Sequence, residues 1–420
     1  MTQKKITVLV ISDHPLAPSG VGTQTKYMIE AMLSTGKYRF VCLAGAVKHS
    51  DYTPTKVDPF GDDWIVFPVD GYGTQDRVRA LILQQKPDIL WFMTDPRFYG
   101  WLWEMENEIR SSIPMVYYHV WDNYPYPYFN KIWYDSTDVV ATISKVTSDI
   151  VRTVSPTVEE HYLPHAVQTE VFKKFPDSDV AGFKASSLGS DNNKVIFFWN
   201  NRNARRKQSG TLIWWFKEFL DRVGHDKAQL IMHTDPKDPH GQDLIAIMER
   251  LGITNGEVMI SAEKVSPQHL AMMYNMSDCT INISDAEGFG LATFESLACE
   301  TPIIVSMTGG LQEQVTDGEN WFGIGIEPSS KSIIGSQEVP YIYEDRINKE
   351  EFIDALVKIT EMSPAERASL GAAGRAHVLK NYSLTQFADR WDEILSGVHE
   401  RYGSWDTRKE YKSWEFLEIA

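Results

Sequence analysis

The sequence predicts an α/β protein of two similar-sized domains, each a parallel sheet with helices on both faces. Three observations carry that prediction. Short apolar runs alternate with helical patterns along the chain. The runs are apolar throughout, as strands buried on both faces require, and do not alternate as one-sided strands would. The alternation stops once, over residues 164–193, and then restarts, in a chain whose 420 residues allow two or three domains.

The first run, residues 6–11, is short, and no small-residue cleavage site follows it. It reads as a buried first strand and not as a signal peptide. Further strands are expected at 40–43, 64–69, 89–93, 115–119 and 139–143, with helices over 22–33, 77–84 and 98–110. Residues 164–193 contain Pro164 and Pro176 and a stretch rich in Ser, Gly, Asp and Asn, which reads as a linker with at most a short helix. The strand pattern then resumes at 194–199, 230–233, 258–261, 279–283 and 302–305. Residues 212–220 (LIWWFKEFL) read as a core helix face that leaves some aromatic surface exposed. Three late helices carry start signals: Asn348 with Glu351, Ser363-Pro364 with Glu366, and Ser383 with Gln386. The expected domains are therefore 1–185 and 186–401, facing each other across a cleft.

Composition narrows the function classes. With 43% hydrophobic and 23% charged residues and no low-complexity tract, the chain is expected to be globular and not disordered. Its net charge of −16 argues against broad, sequence-independent nucleic-acid binding, which needs basic groups to neutralise phosphates. The acid is concentrated in the second half: residues 1–190 carry net −4 and residues 191–420 net −12. A local basic site stays compatible with both. Cys42, Cys279 and Cys299 are too few and too scattered for a disulfide framework or a zinc site, and each lies in or beside an apolar run, as buried reduced thiols do. No apolar stretch approaches the roughly 18 residues a membrane span needs.

Several segments have the residue types of a ligand site. After the first strand, residues 12–23 form a loop with Gly20 and Gly22 that leads into a helix. Small residues there let backbone N–H groups approach an anion, although a plain strand-to-helix turn has the same look. After the first strand of the second half comes Asn200-Asn201-Arg202-Asn203-Ala204-Arg205-Arg206-Lys207. Four cations in six residues, at the carboxyl end of a strand in an acidic half, suit a clamp on a phosphate or diphosphate. The most informative segment is Ser284-Asp285-Ala286-Glu287-Gly288-Phe289-Gly290-Leu291-Ala292-Thr293-Phe294-Glu295. A strand ends, glycines allow close backbone approach, a helix starts near Leu291, and Glu287 and Glu295 bracket the turn. A second glycine turn, Thr308-Gly309-Gly310-Leu311-Gln312-Glu313, follows the next strand.

Together these residues resemble the signature of retaining GT-B-fold glycosyltransferases of family 4. The family's E-x7-E motif matches Glu287 and Glu295, its R-x4-K pair matches Arg202 and Lys207, and its G-G-x-x-E turn matches Gly309, Gly310 and Glu313. Residues 298–302 are similar to its A-x-G-x-P segment, with Glu300 where glycine is usual. His119, at the end of a strand, matches the family's first-domain histidine, and Gly20 and Gly22 match its N-terminal glycine loop, here split by Val21. The resemblance is dense over 194–325 and looser over 1–165.

The resemblance implies a GT-B fold of two Rossmann-like domains, the second holding a nucleotide-diphosphate sugar. It implies that Glu295 holds the ribose, that Arg202 and Lys207 neutralise the leaving diphosphate, and that Glu287 and His119 contact the sugar. Gly288, Phe289, Gly290 and Leu291 belong to the donor loop. Glu263 and Lys264, in the loop 260–265, frame the base by analogy. It further implies retention without a protein nucleophile, no cofactor beyond the sugar nucleotide, and a last segment, 402–420, that crosses back to the first domain. No metal is expected, because the only D-x-D match, Asp177-Ser178-Asp179, lies in the linker.

For the acceptor, the aromatic loop after His119 is the candidate, with Trp121, Asp122, Tyr124 and Tyr126, since aromatic faces stack on sugars. Core packing accounts for such a loop equally well. A saccharide, a lipid-linked glycan or a small molecule is the expected acceptor. Alternatives are a phage-type nucleic-acid glycosyltransferase, disfavoured by charge, a GT-B sugar-nucleotide epimerase, and a non-catalytic sensor. The expected location is cytoplasmic, with peripheral contact at the inner face of a membrane left open.

Overall fold

The structure, a computed structural model, describes residues 4–414. The chain divides after Ala166 and after Ser383: Val167–Ser383 forms one compact unit, and the chain before Val167 joins the chain from Leu384 onward in the other. These divisions fall at different places from the sequence-derived 185/186 and 401/402. Residues 415–420 of the expected returning segment lie outside the described residues.

The first unit is built on one sheet: β1 (Ile6–Asp13), β2 (Tyr38–Gly45), β3 (Thr55–Val57), β4 (Gly61–Pro68), β5 (Ile89–Met93), β6 (Met115–His119), β7 (Val139–Thr142) and β8 (Glu159–Tyr162). Their order is β3-β4-β2-β1-β5-β6-β7-β8, parallel except for β3 against β4. β5, β6 and β7 are buried along their whole length, which is why they are apolar runs without alternation. The expected helix over 98–110 is broken into a 3-10 turn, Pro96–Phe98, and two short helices, Gly100–Trp103 and Glu106–Arg110. The breaks accompany aromatic packing: Tyr99 and Trp103 meet the Phe92 ring edge-on at 5.2 and 5.5 Å.

Helix Leu384–Tyr402 belongs to this unit and buries Phe387, Trp391, Leu395 and Val398. The Trp391 ring meets Trp91 at 5.7 Å and Tyr118 at 5.0 Å, both edge-on. Truncating so large a buried ring costs about 3–5 kcal/mol, enough to fix where the chain returns. Beyond it, Ser404 donates to Asp88 (2.7 Å), and the buried Arg408 guanidinium pairs with the buried Asp138 at 2.9 Å.

The second unit carries β9 (Val195–Asn200), β10 (Ala228–His233), β11 (Val258–Ser261), β12 (Cys279–Asn282), β13 (Ile303–Ser306) and β14 (Gly323–Ile326). They form a parallel sheet in the order β11-β10-β9-β12-β13-β14, so the order reverses direction at β9. Helix Ser209–Val223 presses Leu212, Ile213, Phe216, Phe219 and Leu220 into this unit's core and leaves Trp214 half exposed. A separate antiparallel hairpin, β15 (Pro328–Ile334) with β16 (Ile342–Ile347), lies outside the sheet. The interval 164–193 contains one helix, Asp177–Leu188, with no buried residue. Ser363 forms the full capping box with Glu366, and the Asn348 side chain accepts from the Glu350 and Glu351 backbones. All three cysteines are free and buried.

Candidate active site

In an open parallel sheet, ligands sit beyond the carboxyl ends of strands near the point where strand order reverses. In the second unit that point is flanked by the segments after β9, β12 and β13, which hold the three densest motifs of the sequence.

After β9 the chain makes a 3-10 turn, Arg205–Lys207, ended by Gln208 in the left-handed region (φ 56°). This geometry turns Lys207 inward. Lys207 is 7% exposed and its Nζ donates to Glu287 Oε2; Glu287 is itself 8% exposed. Asn282 Nδ2 donates to the same oxygen at 3.3 Å. Burial alone would raise the Glu287 carboxyl, but the Lys207 and Arg206 charges and the hydrogen bonds outweigh it and hold it down at about 2. Arg202 is exposed and forms a bidentate pair with Asp238 at 2.7 and 3.2 Å. The R-x4-K cations therefore differ: one is buried on a motif carboxylate, the other is at the surface.

The turn after β12 is closely packed. Gly290 has φ +91°, and a Cβ there would lie 2.5 Å from Leu311 Cδ2. A Cβ on Gly310 would lie 2.6 Å from the Gly288 carbonyl oxygen. Gly310 N–H donates to the Glu287 carbonyl (3.1 Å), and Gln314 Nε2 donates to the Phe289 carbonyl (2.6 Å). The two glycine turns are thus locked to each other, and both glycines are required by close approach. Helix Leu291–Ala298 begins here and presents Glu295 one turn in. Tyr274 donates its hydroxyl to Glu295 Oε2 (2.9 Å) and accepts from Asn200 Nδ2 (2.9 Å). Burial pushes the Glu295 carboxyl up to about 7, which the Tyr274 hydrogen bond offsets only in part.

Asn200 lies in the basic segment singled out by the sequence, but motif reading alone did not find Tyr274 or Asn282. Three buried polar atoms at the strand ends lack a hydrogen-bond partner: Asn201 Nδ2, in that basic segment, and Thr234 Oγ1 and Ser306 Oγ, which no motif marked. Orphaned buried polar groups are rare, and a ligand is one way to satisfy them. Glu263 and Lys264 are exposed in the loop after β11. Glu300 occupies the left-handed region (φ 63°), which gives a physical reason for the glycine usual there.

In the first unit, Ser19 caps helix Gly20–Ser34 by accepting from Gly22 N–H and donates to Asp13 (2.6 Å). A Cβ on Gly22 would lie 2.6 Å from the His14 carbonyl oxygen, so this glycine is needed for the loop's own packing. His119 is fully buried, with Nε2 2.7 Å from the Tyr134 hydroxyl and Nδ1 without a partner. Burial lowers its pKa to about 3, so the imidazole is neutral. The aromatic loop is tied down internally. Trp121 is buried and donates to the Asn123 carbonyl (2.9 Å), while Tyr124 and Tyr126 both donate to Asp149 (2.7 and 3.0 Å). Asp122 also has an interaction partner. Among the described residues, no group of three or more His, Cys, Asp or Glu is arranged to hold a metal ion, and no helix is long and apolar enough to cross a membrane.

The chain was compared with known protein families, curated proteins and solved structures. Residues 183–351 match the family model described as "Glycosyl transferases group 1". Over 272 residues the chain is 26% identical to the GDP-mannose-dependent alpha-(1-6)-phosphatidylinositol monomannoside mannosyltransferase of Mycolicibacterium smegmatis, covering 63% of this chain and 64% of that one. It is 26% identical over 189 residues to the D-inositol 3-phosphate glycosyltransferase of Rhodococcus erythropolis, 42% of each chain. The chain thus spans less than two thirds of these relatives' lengths. Among solved structures, sucrose-phosphate synthase from Thermosynechococcus elongatus superposes with a TM-score of 0.75 at 16% identity, covering 94% of this chain and 100% of that one. A structure described as "Trehalose-6-phosphate from E. coli bound with UDP-2-fluoro glucose" gives a TM-score of 0.68 at 14% identity, covering 93% and 100%. At such identities the likeness establishes the fold, which is α/β of the GT-B type. The chain therefore has the GT-B fold, resembles the family-4 glycosyltransferases, and over residues 183–351 matches the group 1 glycosyl transferases.

Proposed function

We propose that the chain is a retaining glycosyltransferase that moves a hexosyl unit from a nucleotide-diphosphate sugar to a saccharide, lipid-linked glycan or small-molecule acceptor. The observation that carries this reading is the joining of three motif loops: Lys207 after β9 reaches Glu287 after β12, and Gly310 after β13 donates to the Glu287 backbone. A buried cation held beside glycine turns and a helix start suits a dianionic diphosphate.

In this reading Lys207, with Arg202, stabilises the charge that grows on the leaving diphosphate, the type of term that is commonly largest in catalysis. Glu287, ionised at any physiological pH, accepts from sugar hydroxyls. Glu295, held by Tyr274 and partly protonated near neutrality, hydrogen-bonds the ribose diol. Phe289 and Leu291 shape the donor loop, and Glu263 and Lys264 edge the base. The bond from the sugar's anomeric carbon to the diphosphate oxygen breaks as the bond to the acceptor oxygen forms on the same face, and the acceptor proton goes to the departing phosphate. No protein nucleophile and no metal enters the scheme. His119, neutral, offers hydrogen bonding to a sugar through its unpartnered Nδ1. Trp121, Asp122, Tyr124 and Tyr126 are the acceptor candidates, and the buried or tethered state of the aromatic three favours a preorganised wall over a mobile lid.

The test is a panel of nucleotide sugars scored for nucleotide release with and without acceptor mixtures. Acceptor-dependent release supports the transferase. Conversion of a lone sugar nucleotide supports an epimerase instead, and binding without turnover supports a sensor. Steep loss of acceptor-dependent activity with salt supports a nucleic-acid acceptor.

A further inference from the structure

In the β15–β16 hairpin, Glu344 is the sole fully buried residue of either strand, at 2% exposure, while Ile333 on the partner strand is 72% exposed. A carboxylate buried on an otherwise exposed hairpin costs several kcal/mol unless charged partners compensate it. Its partners come from the site. Arg205 grips it with both terminal nitrogens, at 2.8 and 2.6 Å, and Arg346 adds a contact at 3.2 Å. Arg346 also pairs with Asp285 at 3.0 Å, and the Asp345 N–H donates to the Asp285 carbonyl at 2.9 Å. Asp285 in turn holds the Arg205–Lys207 turn: its N–H donates to the Arg206 carbonyl (2.8 Å), and its carboxylate accepts from Gln208 Nε2 (2.6 Å). Burial raises the Asp285 carboxyl to about 6, while the Gln208 hydrogen bond and the Arg346 charge favour its ionised form.

We infer that Glu344 is a positioning residue: the hairpin braces the Arg205–Lys207 turn against the Asp285 loop and thereby sets where the Lys207 ammonium meets the departing diphosphate. This rests on the transferase reading above. Glu344 and Arg205 touch no reacting atom in this account; they act through the turn two residues before Lys207. Because the group they place works mainly on charge that develops during transfer, their loss lowers kcat and kcat/KM together and leaves KM for the donor nearly unchanged.

The experiment measures steady-state kinetics on the full chain for Glu344→Gln, Arg205→Gln and the double variant, with thermal melts alongside. Arg205 has a side chain 59% exposed, so its variant tests the brace even if Glu344→Gln does not fold. The expected result is a roughly tenfold or larger drop in kcat in each single variant with KM within threefold, and no further drop in the double. Unchanged kcat in Arg205→Gln, or losses that multiply in the double variant, would overturn the brace alone. A wild-type chain that releases no nucleotide from any sugar nucleotide would overturn the transferase reading first and the brace with it.

Discussion

Replacing Lys207 with Met separates what the Lys207–Glu287 pair does for stability from what it does for turnover. The Met side chain keeps most of the buried volume and removes only the charge, leaving Glu287 at 8% exposure with Asn282 and the more distant Arg206, 3.9 Å away, as compensation. Glu287 is held at about 2 in the folded chain against an ordinary value of 4.5. A depressed carboxylate contributes stability that is present above its unfolded pKa and lost as pH falls through the folded one, and a shift of this size is worth about 3 kcal/mol at neutral pH. Lys207→Met should forfeit most of that, a drop in melting temperature of roughly 6–12 °C for a unit of this size. Between pH 4.5 and 2 the gap from wild type should narrow, since Glu287 then protonates in either chain. Turnover should fall by about 10²–10³, the usual cost of losing one buried charge-stabilising donor. The double variant Lys207→Met/Glu287→Gln removes the uncompensated charge and should recover most of the melting temperature while staying inactive. Thermal melts across pH and nucleotide-release assays on both variants give the answer. If Lys207→Met turns over within threefold of wild type, the role assigned to Lys207 is wrong.

Three further outcomes are expected. Glu295 is raised to about 7, so its ionisation costs stability as pH climbs from the unfolded value through the folded one. Glu295→Gln should therefore gain melting temperature over wild type more at pH 8 than at pH 5, while nucleoside diphosphate affinity by calorimetry drops at least tenfold. Glu300→Gly relieves a left-handed backbone at the cost of a long 3.9 Å contact to Arg375, and should stabilise the chain by about 0.5–1 kcal/mol in denaturant melts without changing turnover. Arg408→Met strands Asp138 at its 4% exposed site with Arg110 still beside it, and should cost about 3 kcal/mol in the same melts.

Much of the fold was legible because strands buried on both faces must be apolar throughout. The runs at 89–93 and 115–119 coincide with β5 and β6 to the residue. Strands that escape that rule were missed. β8 (Glu159–Tyr162) is an edge strand of polar residues, β14 (Gly323–Ile326) is half glycine, and β15 is largely solvated. The return of the chain at Leu384 was missed for a different reason. The stripe of Phe387, Trp391, Leu395 and Val398 marks a packed helix but does not say which sheet it packs on. The Trp391 contacts with Trp91 and Tyr118 decide that, together with the Tyr38 hydroxyl donating to Asp392 and the Tyr402 hydroxyl donating to Glu159. In the site, Lys207 and Glu287 stood out through motif spacing, and the structure joins them across 80 residues of sequence. Tyr274 and Glu344 did not stand out. Each acts through a partner that is distant in sequence, Glu295 at a separation of 21 and Arg205 at 139, and no local pattern records such pairs.

In the proposed function, the second unit holds a nucleotide-diphosphate sugar between the turns after β9 and β12. Hydrogen exchange of the wild-type chain, read by mass spectrometry with and without the sugar nucleotide that supports turnover, tests it most directly. Added protection is expected over residues 202–208 and 284–295, lost in Glu295→Gln at the same ligand concentration. Protection that leaves both segments unchanged and appears only before Val167 would contradict it.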